Sequence, residues 1–471
     1  MSALPGPKDH SFGLGLARRM QSNLLQFSQE MAAEFGDLAF FRVGPLKICL
    51  LNHPDLIHEA LSTRAKSFPK YERPIRQLAK MDGQAITMTE GDAWLRGRRV
   101  VQPAFHASQL GPYGEIVVQA TREFASRRQT EGTVYAAEDF RRLTLQTMTQ
   151  TLFGARAAKQ AEVIENASRE FLDIISRELY RPFDLPDWLP LPSKIRKRRA
   201  VRQVRDFVRG VVEDRRLESG DHGDLLSTLL HAADQDAAPR RLSNEQALNE
   251  AIGLFRAGHD AMSSLLAWTT ALLAQHPAIA AKVRDEVQTV TGGRPVKSKD
   301  WPQLAYTECV VKESLRLYPP AWMLFIRRAA EDMELACGEA GPYRIPRGTQ
   351  VFVTPWSVHR DARFFPNPLG VDPERFLPDG IAAIRPHAFI PFGIGPHACI
   401  GNAYSLMHAT LSMAVLAQHC RWNVMPSRDL VPEPVLPLRM RGGLRISIAC
   451  ERSTAGFARL RPITLATRLF R

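Results

Sequence analysis

The segment PFGIGPHACIG, residues 391–401, holds a single cysteine, Cys399, among three glycines and directly precedes an apolar stretch. Gly393 and Gly395 permit backbone angles and close approaches that a side chain would block. A helix that begins just after Cys399 would turn its amide groups and the positive end of its dipole toward the sulfur, which favours thiolate over thiol. The segment is therefore typical of a loop that binds a metal through cysteine. The plainer alternative is a buried cysteine in a tight turn.

A second motif pairs two charged residues three positions apart, in Glu313-Ser314-Leu315-Arg316. At this spacing the carboxylate and the guanidinium share one face of a helix, so they can pair and present charge to a third group. Most such pairs lie on helix surfaces and contribute less than about 1 kcal/mol. What distinguishes this pair is the order of the segments that follow it, namely LYPP (317–320), FPNP (365–368) and PERF (373–376).

These motifs resemble the cytochrome P450 superfamily, and the resemblance extends over about residues 35–450. Phe392, Gly395 and Gly401 stand seven before, four before and two after Cys399, as in that family's haem-ligand loop. His397 stands where the family usually has arginine, and it keeps a donor for a haem propionate. The resemblance implies haem b with an axial thiolate from Cys399. Because the chain contains no C-x-x-C-H motif, we expect the haem to be held without covalent attachment.

The other family motifs imply supporting roles around the haem. By resemblance, Glu313, Arg316 and Arg375 form a buried charge network that braces the haem-ligand loop. Haem also carries two carboxylates that need cationic or hydrogen-bonding neighbours when buried. The resemblance assigns these contacts to Trp94 and Arg98, which lie four apart on one helical face, to Arg327 with Arg328 as a substitute, and to His397.

The segment Ala257-Gly258-His259-Asp260-Ala261 resembles the family's oxygen-binding groove, with one departure. In the family, alanine and glycine make room over the iron, and an acid–threonine pair delivers protons. Ala261 takes the place of the threonine and has no hydroxyl. Ser264, three positions on, lies about 60° round the helix and is an imperfect replacement. Three alternatives remain: a substrate hydroxyl is the missing donor, ordered water held by Asp260 suffices, or the protein uses peroxide or catalyses a rearrangement.

The resemblance also implies an apolar substrate pocket. Its walls are assigned to Leu254, Ala257, Ala261, Ala321, Trp322, Met323, Leu324 and Phe325, and its roof to Met81, Ile86 and Met88. Ordinary core packing is the alternative for each of these residues.

The activity implied is that of a monooxygenase that inserts one atom of O2 into a hydrophobic organic substrate, by hydroxylation or epoxidation. A thiolate ligand favours O–O cleavage, while the protein positions the substrate and excludes water from the site. The replacement of the family's threonine by Ala261 favours an enzyme that modifies a natural product which already carries oxygen. A peroxide-using or rearrangement-type haem-thiolate enzyme and a non-catalytic haem sensor are the alternatives. Because no flavin or iron–sulfur segment is evident, we expect electrons from a ferredoxin or flavodoxin with an NAD(P)H reductase.

Positioning these motifs requires a mainly α fold with a small β portion, in which haem lies between a long central helix and the cysteine loop. Residue types predict a hairpin of Leu38–Val43 and Leu46–Leu51, and further strands at Gln350–Thr354 and Arg445–Ala449. Ser243 and Gln246 predict the capped start of the long helix, which should run to about Gln275. Another helix is predicted at Trp301–Leu317, before Pro319-Pro320. We expect one haem domain at 35–450, a lead segment at 1–34 and a basic, disordered tail at 451–471.

Composition and charge narrow the classes of function that remain possible. The chain of 471 residues carries a formal charge of +13, and the run KIRKRR at 194–199 raises the hypothesis of nucleic-acid binding. Apolar residues at helical spacing after this run instead place Arg202, Arg205 and Arg209 on the solvated side of an amphipathic helix. The charge is better suited to docking an acidic electron donor. Six cysteines without a C-x-x-C pair indicate a reducing compartment, and no apolar run near the N-terminus approaches the ~20 residues of a membrane span. We therefore expect a cytoplasmic bacterial enzyme without a transmembrane anchor.

Overall fold

The computed structural model describes residues 4–8, 11–131, 133–154, 161–179, 185–218, 223–231, 242–337, 340–424, 430–441 and 445–450. The predicted tail at 451–471 lies outside the described residues. Helices dominate the fold, as the sequence predicted. They are α1 (Leu14–Ser22), α2 (Leu24–Phe35), α3 (Pro54–His58), α4 (Glu72–Asp82), α5 (Gly91–Val101), α6 (Ala107–Glu131), α7 (Ala136–Phe153), α8 (Ala161–Leu179), α9 (Pro192–Leu217), α10 (Leu225–His231), α11 (Asn244–Gln275), α12 (Pro277–Thr291), α13 (Ala305–Leu317), α14 (Pro355–Val358), α15 (Pro378–Ala383) and α16 (Asn402–His419).

Within the described ranges, four small sheets complete the fold. Their strands are β1 (Leu38–Val43), β2 (Leu46–Leu51), β3 (Thr133–Tyr135), β4 (Arg327–Arg328), β5 (Met333–Cys337), β6 (Ala340–Ile345), β7 (Gln350–Val353), β8 (Cys420–Val424), β9 (Pro432–Glu433), β10 (Arg439–Met440) and β11 (Arg445–Cys450). The sheets have the orders β1-β2-β7-β4, β3-β11-β8, β5-β6 and β9-β10. The predicted hairpin is confirmed, with Leu38 opposite Leu51 and Val43 opposite Leu46. Antiparallel pairing of β4 with β7 then carries Arg327 into the first sheet, opposite Val351.

The long helix α11 is the centre of the fold, and its predicted bounds are confirmed. Ser243 accepts a hydrogen bond from the Gln246 N–H, and the Gln246 side chain accepts one from the Ser243 N–H, which completes the capping box. The helix ends where the His276 N–H bonds to the Leu272 carbonyl, just before Pro277. Most of its side chains are buried, and it packs against α7, α9, α13 and α16. A helix that is apolar on nearly all sides is stable in water only when other helices cover it.

The predicted helix at Trp301–Leu317 is wrong at its start. Residues Ser298–Gln303 form a 3-10 turn, and α13 begins at Ala305. Leu304 between them has non-helical angles of φ −90° and ψ 52°. Pro302 lies inside the turn, and its ring cannot donate a backbone hydrogen bond, which favours a short turn over a continuous helix. The predicted end is confirmed, because α13 stops at Leu317, before Pro319.

The basic helix α9 is less solvated than predicted. Lys194 and Lys197 are buried, and both ammonium groups contact the carboxylates of Glu178 and Asp187 at 2.5–2.8 Å. Arg205 is also partly buried, with Nη1 donating to the Met81 carbonyl at 2.9 Å. The prediction that Arg205 is solvated is therefore wrong. Buried cations need counter-charges. Glu178 provides one and joins α9 to α8, while the Arg205–Met81 hydrogen bond joins α9 to α4.

The N-terminal helices are part of the main core. Leu25, Phe27 and Met31 of α2 belong to the same hydrophobic cluster as the central helix. Within the described ranges, no helix combines the length and the apolar character needed to cross a bilayer.

Candidate active site

The loop around Cys399 is held by its own backbone and by close packing on residue 61. The Cys399 N–H donates to the Phe392 carbonyl at 2.8 Å, and the Ala398 N–H donates to the Gly395 carbonyl at 3.0 Å. Gly395 has a φ of +76°, and a Cβ atom there would lie 2.1 Å from the Leu61 carbonyl oxygen. Only glycine fits such a position without moving the backbone of residue 61.

The Cys399 side chain keeps accessible surface, although enough of the protein surrounds it for burial to be the largest influence on its thiol. Burial raises the pKa of the Cys399 thiol, while the Gly401 N–H and the positive charge of Arg98 act in the opposite direction. Gly401 is the N-cap of α16, so the amide end of this helix is turned toward the sulfur. The contribution of the helix end agrees with the sequence prediction, but burial outweighs it and the net shift of the thiol pKa is upward.

The structure brings Glu313, Arg316 and Arg375 together in one buried network. Arg316 donates to both carboxylate oxygens of Glu313, with Nε to Oε2 at 2.8 Å and Nη2 to Oε1 at 2.7 Å, and both side chains are 0% exposed. Arg375 Nε lies 3.3 Å from Glu313 Oε2. The Asp372 N–H also donates to Glu313, and Arg316 Nη1 donates to the His359 carbonyl at 2.8 Å. The network thus fixes the chain between α14 and α15 to α13.

His359 connects this network to the cysteine loop, and the sequence reasoning missed it. Its Nε2 accepts a hydrogen bond from the Ile390 N–H at 2.9 Å, so the proton of the neutral ring is on Nδ1, which donates to the Arg316 carbonyl at 3.2 Å. Burial, followed by the nearby charge of Arg316, lowers the pKa of His359 to about 3. The neutral ring therefore couples α13 to the backbone two residues before Phe392. The only signal in the sequence was a histidine at the end of a short apolar run.

The predicted carboxylate-binding residues also converge on the loop. Arg98 Nη1 donates to the Ala398 carbonyl at 2.7 Å, which ties α5 to the residue before Cys399. The Trp94 ring packs on the His397 ring with centroids 4.2 Å apart. Arg327 is 8% exposed, whereas its neighbour Arg328 is exposed and pairs with Glu72 at the surface. The geometry therefore favours Arg327 over Arg328 as the cofactor contact.

Two further residues at this site, Lys70 and Glu90, were not found from the sequence. Lys70 is buried, and its Nζ donates to the Thr89 carbonyl at 2.8 Å. Glu90 lies among the cations: its Oε1 is 3.5 Å from Arg327 Nη1 and 3.7 Å from Lys70 Nζ, and its Oε2 is 3.3 Å from His397 Nε2. Burial raises the pKa of Glu90, but His397 and Lys70 outweigh it and hold that pKa at about 2. Glu90 is thus a carboxylate in this environment.

The central helix opens a small groove in its middle. Ala257 is exposed and Ala261 is half-buried; they lie in a partly exposed stretch of α11 at 256–261, between buried stretches at 247–255 and 262–274. The two residues are four positions apart and share one face. Gly258 has a different role from the one expected, because a Cβ there would lie 2.6 Å from the Met148 methyl carbon of α7. Its missing side chain makes room for packing of α7, not for oxygen.

Asp260 is paired with the adjacent histidine. His259 Nδ1 lies 3.4 Å from Asp260 Oδ1, and its Nε2 is 3.1 Å from the Arg141 carbonyl. A carbonyl only accepts, so Nε2 carries a proton. Burial raises the pKa of Asp260, but His259 and the more distant Arg439 and Arg256 outweigh it, and the net shift is downward. Asp260 is therefore an ionised acceptor whose partner holds it in place.

Ser264 is not placed to replace the missing threonine. Its hydroxyl donates to the Leu438 carbonyl at 2.5 Å, and the residue is 8% exposed. A hydroxyl has one proton, and here that proton is already used.

Polar residues of α11 hold the predicted roof in place. Glu250 accepts hydrogen bonds from the Ile86 N–H at 3.1 Å on both oxygens, and Arg256 Nε donates to Asp82 Oδ1 at 2.8 Å. Burial raises the pKa of Glu250 to about 7. Met81, Ile86 and Met88 are all buried under this arrangement.

Some of the predicted wall residues lie beside the cysteine loop or keep accessible surface, and the others pack in the core. Leu324 lies 4.0 Å from a Cβ position built on Gly393, which places it beside the cysteine loop. Ala321 and Met323 are half-buried, and Phe325 is 42% exposed. Trp322 is 1% exposed and donates from Nε1 to the Val435 carbonyl at 2.8 Å, so it packs in the core. Leu254 is also buried, at 8% exposure.

These residues together fit a haem. The fit requires a cysteine sulfur with accessible surface, cations with donors to spare for the carboxylates, and small residues that leave part of the long helix accessible. Cys399 meets the first condition, and Ala257 and Ala261 meet the third. Arg327 meets the second, because the described residues offer its side chain no hydrogen-bond partner besides Glu90.

Comparison with known proteins agrees with this geometry. The family model described as Cytochrome P450 matches residues 4–443. Cyclooctat-9-en-7-ol 5-monooxygenase of Streptomyces melanosporofaciens is 32% identical over 420 residues, covering 88% of this chain and 88% of the relative. Pentalenene oxygenase of Streptomyces avermitilis is 32% identical over 425 residues, covering 89% and 91%. Human ultra-long-chain fatty acid omega-hydroxylase is 30% identical over 432 residues, covering 86% and 80%. The chain therefore belongs to the cytochrome P450 family, whose members bind haem through a cysteine thiolate and act as monooxygenases.

Proposed function

We propose that this protein carries haem b on Cys399 and uses O2 to hydroxylate or epoxidise a cyclic hydrophobic natural product of the terpenoid class. The observation that carries the proposal is the Cys399 side chain, which keeps accessible surface just before the N-terminal end of α16. The substrate class is supported by the names of the two Streptomyces relatives, which are an oxygenase of pentalenene and a monooxygenase of cyclooctat-9-en-7-ol.

The bound haem would provide the oxidising chemistry, and thiolate ligation favours O–O cleavage. The chain's own residues would hold and shield it. Cys399 binds the iron, while Trp94, Arg98, Arg327 and His397 bind the carboxylates. The network of Glu313, Arg316 and Arg375 holds the loop through His359. The roof at residues 81–88 excludes water from the groove beside Ala257.

Proton delivery is the step at which this chain departs from its family. Ala261 has no hydroxyl, and the Ser264 proton is used by Leu438. A hydroxyl on the substrate is therefore the donor that we propose, with Asp260 holding an ordered water as the next choice. One relative acts on an alcohol by name, which supports a substrate that already carries oxygen. If neither route operates, peroxide is the oxidant that avoids the missing donor.

Electrons would come from a separate ferredoxin or flavodoxin with an NAD(P)H reductase, because family members generally use redox partners. The formal charge of +13 favours an acidic donor protein. The buried thiols of Cys49 and Cys309 are consistent with a reducing cytoplasm.

Two measurements test the proposal. The first is the difference spectrum of reduced protein with carbon monoxide, for the parent and for Cys399→Ser, with Cys309→Ser as a control that removes another buried thiol. The parent and the control should give the thiolate-ligated spectrum, and Cys399→Ser should not. An unchanged spectrum in Cys399→Ser would rule out the ligand.

The second measurement is product formation per NADPH, with a ferredoxin system, on pairs of cyclic terpenoids that differ by one hydroxyl. The alcohol of each pair should give tighter coupling than the hydrocarbon. Turnover with hydrogen peroxide that equals turnover with the reductase system would favour the peroxide alternative, and haem binding without any turnover would favour a sensor.

A further inference from the structure

Glu90 joins four parts of the chain around the candidate haem carboxylate site. It lies at the N-cap of α5, just before the helix that carries Trp94 and Arg98. Its Oε1 accepts a hydrogen bond from the Lys70 N–H at 3.1 Å and lies 3.5 Å from Arg327 Nη1. Its Oε2 lies 3.3 Å from His397 Nε2, in the loop that contains Cys399. A single carboxylate thus contacts the chain before α4, strand β4 and the cysteine loop.

The three cation-capable side chains around Glu90 are close together and poorly solvated. The side chains of Lys70, Arg327 and His397 are 4%, 9% and 11% exposed. Lys70 and Arg327 also form an isolated backbone bridge, which holds the two residues side by side. Like charges in such a setting repel strongly, and burial already lowers the pKa of both residues. Glu90 is the carboxylate that opposes this repulsion.

The hydrogen-bonding capacity of the group points to an anionic ligand. Lys70 donates to the Thr89 and Ile86 carbonyls besides its contact with Glu90, so its donors are largely used. A guanidinium has five N–H donors. Glu90 accepts a hydrogen bond from Arg327 Nη1 at the long distance of 3.5 Å, and the described residues offer no acceptor to the other Arg327 donors. None of the Arg327 nitrogen atoms is both fully buried and unpartnered, so its unused donors keep accessible surface and are available to an anion.

We propose that Glu90 is a positioning residue for the cofactor, which holds Arg327 so that the free donors of its guanidinium meet a haem carboxylate. The inference rests on the proposed haem binding and adds a residue that acts through others. Glu90 itself would repel the haem carboxylates, so its benefit must come from ordering the cations. Removing it should therefore weaken haem binding, although it removes a repulsive charge.

The test measures the rate at which ferric haem leaves the holoprotein and is captured by excess apomyoglobin. Glu90→Gln keeps the size of the side chain and removes its charge, and haem loss should be about tenfold faster than in the parent, as for other residues that orient a metal site indirectly. Glu90→Asp keeps the charge and should recover part of the retention. The matched control is Glu72→Gln, since Glu72 pairs at 3.0 Å with Arg328, the exposed neighbour of Arg327. It should leave haem loss unchanged.

A double-substitution cycle shows whether Glu90 acts through Arg327. The variant Arg327→Met should lose haem rapidly, and adding Glu90→Gln to it should cause little further increase, because the residue that Glu90 positions is gone. The midpoint reduction potential of Glu90→Gln should also rise, since loss of a negative charge near the iron favours the reduced state. A change in folding alone would not move that potential.

The proposal is overturned if Glu90→Gln retains haem as long as the parent or longer, because Glu90 would then be inert or a competitor of the haem carboxylates. Fully additive effects of the two substitutions would overturn it as well. Failure of the parent to bind haem would instead refute the proposed function, so the two failures are distinguishable.

Discussion

Removal of the Glu313 carboxylate by Glu313→Ala should strand a buried arginine. Glu313 and Arg316 are both 0% exposed, and Glu313 accepts two hydrogen bonds from Arg316 and one from the Asp372 N–H. Arg316 would keep three backbone carbonyl acceptors, at His359, Pro368 and Gly370, but would lose its counter-charge. Breaking one side of a buried pair costs about 3–5 kcal/mol. The unfolding equilibrium constant should therefore rise by roughly two to three and a half orders of magnitude, at about 1.4 kcal/mol per tenfold.

The assay is urea denaturation followed by far-ultraviolet circular dichroism, together with the ratio of haem to protein after purification. The matched control is Glu308→Ala, on the same helix. Glu308 pairs with Lys312 at 2.8 Å, and both side chains are 23% exposed, so its loss should cost no more than about 1 kcal/mol. Because His359 connects Arg316 to Ile390, Glu313→Ala should also lose haem content, and the control should not. A Glu313→Ala protein with normal haem content and a loss below 1 kcal/mol would refute this reasoning.

Three further predictions follow from the site. Gly395→Ala should abolish haem incorporation, because φ is +76° and the new Cβ would lie 2.1 Å from the Leu61 oxygen. Gly348→Ala is the control: its φ is +80°, but no atom lies within 4 Å of the new Cβ, so it should lower stability only slightly. Haem content and thermal unfolding of the two variants check this. Burial lowers the pKa of His359 from 6.5 to about 3, so between these pH values the folded state binds fewer protons than the unfolded state. The free energy of unfolding should therefore fall as pH falls below about 6.5. Urea titrations at pH 7.5 and 5 should show a smaller pH effect in His359→Gln, and an equal effect would contradict the assignment. Ala261→Thr should improve product per NADPH on substrates without a hydroxyl and impair it on the natural alcohol; improvement on both would argue against proton delivery by the substrate.

Local signals in the sequence were sufficient for the elements that carry the site. The Ser243–Gln246 capping box and the residues before Pro277 gave the bounds of α11, because caps and prolines act within one turn of the chain. The hairpin at 38–51 was also predicted locally, from the aromatic and β-branched residues on either side of Gly44-Pro45. The predicted start at Trp301 was wrong because Pro302 lies in a 3-10 turn and α13 begins only at Ala305.

Motif spacing was also sufficient for the residues near Cys399 and for the pair Glu313 and Arg316, since both depend on short separations along the chain. It could not show that Gly258 accommodates Met148, or that Arg205 bonds to the Met81 carbonyl across 124 positions. Both depend on which helix packs against which. Exposure of these residues is a property of the assembled core, not of their own helix.

The sequence by itself determined the ligand loop, the central helix and the family, because each is encoded by residue types at fixed short spacing. Only the tertiary structure decided which charges meet. Glu90 and Arg327 are 237 positions apart, and Arg98 and Ala398 are 300 apart, yet they contact each other beside the same cysteine. Nothing in the spacing of residues specifies such contacts, since they form only when α5, β4 and the cysteine loop pack around one buried site and their charges must be neutralised there.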